Sequence, residues 1–405
     1  MKILYFGTVC TNNEFEKVSE KSKVKPSAAP QNFENLLLNG FSEIENAEIE
    51  CNTFPPIAAY PSGYLPFWGR KRNIINNKIV TKWIPAINIQ VLKQAIYFFL
   101  SFFITLLWAR RNPNENKIVL LYSIYAPIAY GTLLASKITN SKICVVVPDL
   151  PQFMFSYSIE KGIKAKLSPF FIRLSNVIQS KFDGYILLTE FMNEVVNKNN
   201  KPYIVMEGIA KEERSEVVKS KNSTYKNVIM YAGALNEKFG IDKLINAFEL
   251  SEDKNAELWL FGSGDMKEKI LAYASKNNKI IYFGRKPKAD ILEYERKATL
   301  LVNTRTSEDA YTKYSFPSKT IEYMVSGTPL LTTKLPGIPA EYFDYCYTIE
   351  DETVEGISKS INQILNLPKK EREYMGEKAK KFINDNKNSS MQAAKIYHFL
   401  KSNMF

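Results

Sequence analysis

Ser318, Lys319 and Glu322 fall within little more than one helical turn, behind Pro317 and ahead of Gly327 and Pro329. Proline suits a first turn, where its missing N–H is not needed. Glycine followed by proline suits a helix end. The spacing predicts a short helix over about 316–326. The N-terminus of such a helix offers free N–H groups and a positive dipole, a seat for phosphate. Ser318 adds a hydroxyl there and Lys319 an ammonium, so a diphosphate can be held. Glu322 follows Ser318 by four residues and Lys319 by three, which puts all three on one helix side. A carboxylate one turn from a phosphate can accept both hydroxyls of a ribose. The same residues also fit an ordinary capped helix with an i,i+3 charge pair.

Elements that could position this segment recur along the chain. Lys2–Gly7 reads as a buried strand ending in a glycine turn. Helical spacing follows through Phe33, Leu36, Leu37 and Phe41, after a polar stretch, 11–30, that reads as a long loop. Residues 54–73, rich in proline, aromatic and basic residues, read as an irregular loop. Strand-like runs return at Ile118–Tyr122, Ile143–Val147 and Tyr185–Leu188. The theme restarts at Asn227–Gly233, with an amphipathic helix through Ile241, Leu244, Ile245 and Phe248. Leu258–Phe261 with Gly262-Ser263-Gly264, Lys279–Phe283 with Gly284, and Thr299–Asn303 then read as strands running into loops. Alternating strands and helices imply an α/β fold with covered parallel sheets. Ligands of such sheets bind at the carboxyl ends of the strands. The expected domains are 1–210 and 211–385, with the boundary near Glu207–Ser223.

Composition narrows the chemistry. The chain of 405 residues has one histidine, His398, which reads as a surface or packing residue. A Ser-His-Asp triad or a histidine-rich zinc site is thereby disfavoured. Cys10, Cys51, Cys144 and Cys346 are far apart and signal neither a zinc ribbon nor a disulfide framework. A reducing compartment is expected. No Asp-x-Asp pair occurs, so no metal site is expected at a diphosphate. The net charge of +12 is uneven: 1–205 holds 23 basic against 14 acidic residues, and 206–405 holds 31 against 28. Within 51–148 eleven basic residues face one acid, Glu115. This bias suits phosphate, an anionic membrane or plain solubility. No nucleic-acid motif accompanies it, and no nucleic-acid partner is expected. Ala95–Ala109 carries no charge and, as a helix, is about 22 Å long. That is short of a bilayer core of roughly 30 Å. A core helix and an interfacial one, flanked by Lys93, Arg110 and Arg111, both fit better than a span.

Residues 225–345 resemble the nucleotide-sugar domain of GT-B glycosyltransferases of retaining family 4. The matching pieces are Tyr231–Gly240, the Leu258–Asp265 strand with its Gly-x-Gly turn, Phe283-Gly284-Arg285, and the Pro317–Pro329 helix. Transferases of bacterial capsule, O-antigen and exopolysaccharide look like this. The resemblance implies two Rossmann-like domains with parallel sheets facing a cleft, the second binding the donor, and a terminal helix over 386–405 returning to the first domain. It implies a nucleotide-diphosphate sugar, UDP-linked, with Gly233 under the diphosphate and Lys238 adding charge. Gly262 belongs to the same loop edge, and Gly284 and Arg285 would meet the base. Ser318 and Lys319 would hold phosphate oxygens and Glu322 the ribose. The family's glutamate eight residues before Glu322 is Tyr314 here, and its basic residue after the first glycine is Ala234.

With no histidine in the N-terminal half, Asp149 after Val145–Pro148 is the candidate to orient or deprotonate an acceptor; a loop-capping aspartate fits equally. Gly7, Thr189 and Glu190 are the other acceptor-side candidates. Asp149, Lys238 and Lys319 form the expected catalytic set. The expected activity is retaining, metal-independent glycosyl transfer without a cofactor. The acceptor would be a glycan or polyprenyl-diphosphate-linked glycan of surface polysaccharide synthesis. The setting would be cytoplasmic, peripheral on the inner face of an anionic membrane. A non-catalytic nucleotide-sugar-binding subunit and a nucleotide-sugar 2-epimerase are the alternatives.

Overall fold

The computed structural model describes residues 1–75, 79–150, 173–211 and 226–405. These form two compact units: Met1–Ile209 with Ser389–Phe405, and Ala210–Asn388. Most of the expected boundary stretch, Glu207–Ser223, lies outside the described residues.

The first unit opens with β1 (Lys2–Gly7), α1 (Asn12–Lys21), α2 (Ala28–Phe41) and β2 (Glu48–Thr53). There follow β3 (Phe67–Trp68), β4 (Lys71–Ile75), β5 (Ile79–Trp83), β6 (Ala86–Ile87) and α3 (Gln90–Arg111). The unit continues with β7 (Lys117–Tyr122), α4 (Ala126–Thr139), β8 (Lys142–Val147), β9 (Gly184–Leu187), α5 (Met192–Val196) and β10 (Tyr203–Val205). Its sheet runs β10-β9-β8-β7-β1-β2-β5-β4, parallel except for the β4 edge, which pairs antiparallel with β5. β1, β7 and β8 are near-continuous apolar runs because helices cover both sheet faces.

The second unit contains β11 (Val228–Ala234), α6 (Ile241–Glu249), β12 (Glu257–Ser263), α7 (Lys267–Lys276), β13 (Ile280–Gly284) and α8 (Lys288–Lys297). Then come β14 (Leu300–Asn303), α9 (Ser318–Ser326), β15 (Leu330–Thr333), β16 (Tyr347–Ile349), α10 (Val354–Asn366) and α11 (Lys369–Asn386). Its parallel sheet runs β13-β12-β11-β14-β15-β16. Ile241, Leu244, Ile245 and Phe248 of α6 pack into the core below β11, as their spacing implies. A last helix, α12 (Ser389–Asn403), belongs to the first unit and packs on α2, where Gly40 meets the backbone of Ser389. His398 is exposed on it. All four cysteines are free and buried.

Three sequence expectations are corrected. The stretch 11–30 is not a loop: it holds α1 and the start of α2. Thr11 and Glu14 form a reciprocal capping box, at 3.1 and 3.4 Å, which starts a helix with little apolar content. The 54–73 stretch is partly ordered into β3 and the start of β4. The apolar helix is longer than Ala95–Ala109: α3 has 22 residues, about 33 Å. Its end charges are inside the helix, because lysine and arginine are good helix formers. Lys93 does not flank it toward solvent. Its Nζ donates to the Ile57 carbonyl at 2.6 Å and lies over the Trp68 ring. Burial lowers the pKa of that ammonium to about 8.

Candidate functional site

The order of the second sheet selects the place where a site can form. The chain leaves β11 for β12 and β13 on one side, then returns to β14 on the other. The loops after β11 and β14 therefore diverge, and the carboxyl ends of all six parallel strands share one edge. Gly233, next to last in β11, lies at this edge in register with Gly262 of β12. Gly262 has φ +127°, and a Cβ on it would lie 1.7 Å from the Gly233 carbonyl oxygen, so only glycine fits. Gly284 ends β13 with positive φ, and Arg285 beyond it donates to the Ser263 hydroxyl at 2.6 Å.

α9 is anchored to the same edge. Its Tyr323 hydroxyl accepts from the Ala232 N–H at 2.8 Å and donates to the Ala232 carbonyl at 3.1 Å, one residue before Gly233. The helix starts at Ser318, with Pro317 as its N-cap, and ends at Gly327 in the left-handed conformation. Pro317 supplies no capping side chain, so the first turn keeps its donor character. Ser318 is exposed. Lys319 Nζ lies 2.8 Å from Glu322 Oε2, and Lys288 Nζ, from the start of α8, lies 3.1 Å from Glu322 Oε1. Burial alone would raise the Glu322 carboxyl; the two ammonium groups overcome it and hold its pKa below the usual range. Glu295, buried in α8, behaves oppositely. Burial raises its pKa to about 8, although Lys319 pulls the other way.

Lys238 is exposed in the 3-10 turn Glu237–Phe239 after β11, with Nζ 5.1 Å from the Phe239 ring centre. Arg305, two residues beyond β14, stacks on that ring at 4.3 Å. Gly240, with φ +74°, lets Thr304 approach and donate to its carbonyl at 2.9 Å, tying the two diverging loops together.

The chain order of the first sheet also reverses, between β1 and β7. Here the loop after Gly7 is already occupied. The buried Glu34 carboxylate of α2 accepts from the Tyr5 hydroxyl at 2.7 Å and from the Thr8 N–H at 2.9 and 3.0 Å. It also accepts from the Thr8 hydroxyl. Gln31 accepts from the Cys10 N–H at 3.2 Å. Burial raises the Glu34 pKa to about 7, with the Thr8 and Tyr5 donors opposing. Asp149 is exposed two residues past β8, and partial desolvation raises its carboxyl above the ordinary range. Thr189 is buried beyond β9, and the Glu190 carboxylate accepts from the Tyr203 hydroxyl.

The structure thus brings Ser318, Lys319 and Glu322 to the edge that bears Gly233 and Gly262. Gly284, Arg285 and Lys238 border that edge. Sequence reading missed Lys288, Arg305 and Glu34. Arg305 had a signal, its place just past a strand end. Glu34 had one too, because Leu37 and Leu38 put it on the buried helix side. Lys288 had none.

Residues 212–382 match the family model described as glycosyl transferases group 1. The matched stretch falls within the second unit, Ala210–Asn388. No curated protein matches the chain. Among solved structures, HepE of Anabaena in complex with UDP is similar at 13% identity and TM-score 0.60, covering 99% of this chain and 100% of that one. Sucrose-phosphate synthase of Thermosynechococcus elongatus is similar at 12% identity and TM-score 0.63, with 99% and 98% covered. The lipopolysaccharide outer core galactosyltransferase WaaB is similar at 13% identity and TM-score 0.61, with 99% of each covered. At these identities the likeness shows the fold: two Rossmann-like domains of the GT-B type. The matched residues include the whole strand-end edge described above, from Gly233 to Glu322.

Proposed function

We propose that this protein is a retaining, metal-independent glycosyltransferase. It moves a sugar from a UDP-sugar to a glycan or polyprenyl-diphosphate-linked glycan in surface polysaccharide synthesis. The protein works at the cytoplasmic face of the membrane. The observation that carries this reading is the α9 N-terminus beside Gly233, with Lys319 and Glu322 paired on one helix side. Solved neighbours bound to UDP or UDP-glucose support the donor class.

In this reading the diphosphate sits on the first turn of α9, between Ser318, Lys319 and Lys238, over Gly233 and Gly262. Glu322 has each oxygen on a different lysine. Lys319 turning to a phosphate oxygen frees Oε2 for a ribose hydroxyl, while Lys288 keeps the carboxylate ionised. Arg285 borders the base. The acceptor hydroxyl attacks the anomeric carbon from the leaving group's side. The new bond from oxygen to the anomeric carbon forms as the old bond to phosphate breaks. The acceptor proton passes to the departing phosphate oxygen, and UDP leaves with that proton. Lys319, Lys238 and the helix dipole stabilise the charge that develops. Asp149, Gly7, Thr189 and Glu190 belong to the acceptor side, with Asp149 orienting the hydroxyl.

Calorimetry with UDP, GDP and ADP, in chelator, tests the reading. UDP should bind wild type and bind Lys319→Ala roughly tenfold or more weakly, the loss of one charge-assisted contact. Wild type that binds no diphosphate would overturn it.

A further inference from the structure

Among the described residues, helix α3 leaves one side unpartnered. Leu92, Phe99, Phe103 and Leu107 lie along it at 42 to 56% exposure, at helical spacing, and no charge occurs between Lys93 and Arg110. Half-exposed phenylalanines on one face mark an interaction surface. The apolar surface continues past the N-terminal end of the helix. Ile89 is exposed there, and Phe67 and Ile87 face each other across the β3–β6 pair.

The opposite side of α3 is committed to protein. Tyr97, Ser101, Thr105 and Trp108 are buried, and the Ser101 hydroxyl reaches the Ile128 carbonyl of α4 at 3.4 Å. At the crossing, a Cβ on Gly131 would lie 2.3 Å from the Phe98 carbonyl oxygen, so the two backbones touch. By length and composition α3 is the one helix among the described residues that passes for a membrane span. A span would have to tear it from α4 and leave Ser101 and Thr105 facing lipid. A helix with one side locked and one side apolar lies in a membrane plane instead.

Charge identifies the occupant. Arg110 and Arg111 close the helix, and Lys137 is exposed on α4 between exposed Leu134 and Ile138. Of the basic residues in 51–148, Lys71 pairs with Glu14, Lys82 and Arg111 share Glu50, and Lys93 turns inward, while Arg70, Arg72, Arg110 and Lys137 are exposed. A greasy stripe closed by cations suits an anionic lipid surface. We infer that the solvent face of α3 docks the first unit, monotopically, on anionic lipid. Docking of this kind deepens the proposed use of a lipid-linked acceptor. It rests on that reading for its purpose, not for its geometry.

Flotation of the full chain with phosphatidylcholine vesicles, with or without about one third phosphatidylglycerol, tests it. Wild type should float with anionic vesicles and roughly tenfold less with neutral ones, and salt should weaken the binding. Phe99→Glu with Phe103→Glu should lower partitioning at least roughly tenfold while UDP binding, a readout of the second unit, is unchanged. Phe99→Trp, a change that keeps the surface apolar, should shift its fluorescence to the blue with anionic vesicles. Equal recovery of wild type and the double variant, or an unshifted Trp, overturns the inference. Retention through alkaline carbonate overturns it in favour of a span. A dimer that Phe99→Glu dissociates overturns it in favour of a second copy. Lost flotation with intact UDP binding sinks only the docking. Intact flotation without UDP binding sinks only the transferase reading.

Discussion

At the β1/β7 crossing of the first unit, the strand-end glycine faces a buried carboxylate; at the β11/β14 crossing of the second, the same edge carries Lys319, Lys288 and a helix N-terminus. Both sheets reverse there, and both first strands are apolar runs that end near a glycine. The difference is the charge supplied by a helix that arrives from elsewhere in the unit. Glu34 uses the Thr8 amide and hydroxyl and leaves the loop after Gly7 hostile to phosphate. The second edge keeps its first helical turn uncapped by side chains and adds cations. Topology creates two candidate sites, and electrostatics suits only one of them to the proposed diphosphate.

The pH response offers the largest test of this contrast. Glu34 titrates near 7 in the fold against an ordinary 4.5, so the unfolded chain releases that proton first. Its contribution is undiminished below pH 4.5 and is lost as pH rises toward 7, by about 3 kcal/mol at 1.36 kcal/mol per unit. Denaturation of the full chain at pH 5 and 7.5 should show this slope together with that of Glu295, which is raised to about 8 in the second unit, and Glu34→Gln should reduce it by the Glu34 share. Glu322 has the opposite sign: its depressed pKa stabilises at neutral pH, and that support fades on acidification. An unchanged slope in Glu34→Gln would remove the buried carboxylate from the account.

Next comes Lys319→Ala, at about 1.5–3 kcal/mol of UDP affinity, or roughly 10- to 150-fold by calorimetry. The glycines should then respond unequally. A Cβ on Gly7 would lie 1.9 Å from Glu34 Oε2, whereas on Gly233 its nearest contact is the Tyr231 hydroxyl at 3.0 Å. Gly7→Ala should cost about 1–3 kcal/mol of stability by overpacking, and Gly233→Ala less than about 1. Equal losses of thermal stability would mean that the two edges are built alike. The smallest effect belongs to Lys288→Ala. Its ammonium is on a side chain 71% exposed, so about 0.2–1 kcal/mol, or less than about fivefold in UDP affinity, is expected. A larger loss would make Lys288 a principal donor contact.

Much of the β11/β14 edge was legible because its pieces are local. Pro317, Ser318, Lys319, Glu322 and Gly327 are read from one short window, and helix geometry alone puts the middle three on one side. The α/β class followed from alternating apolar runs. The capping box at Thr11 and Glu14 was equally local, but a charged stretch with few apolar residues masked it. The charge-free run inside α3 understates its length, because Lys93, Arg110 and Arg111 continue the helix at its ends.

The sequence by itself determined the strand-and-glycine elements, the short helix that carries Ser318, Lys319 and Glu322, and the basic, greasy character of 51–148. Those depend on residue type and near-neighbour spacing. The tertiary structure decided that Glu34 lies against Gly7, that Lys288 shares Glu322 with Lys319, and that α3 turns one apolar side outward. Each of these pairs or exposes residues tens of positions apart. Only the packing of helices on a sheet fixes which charges meet and which faces stay uncovered.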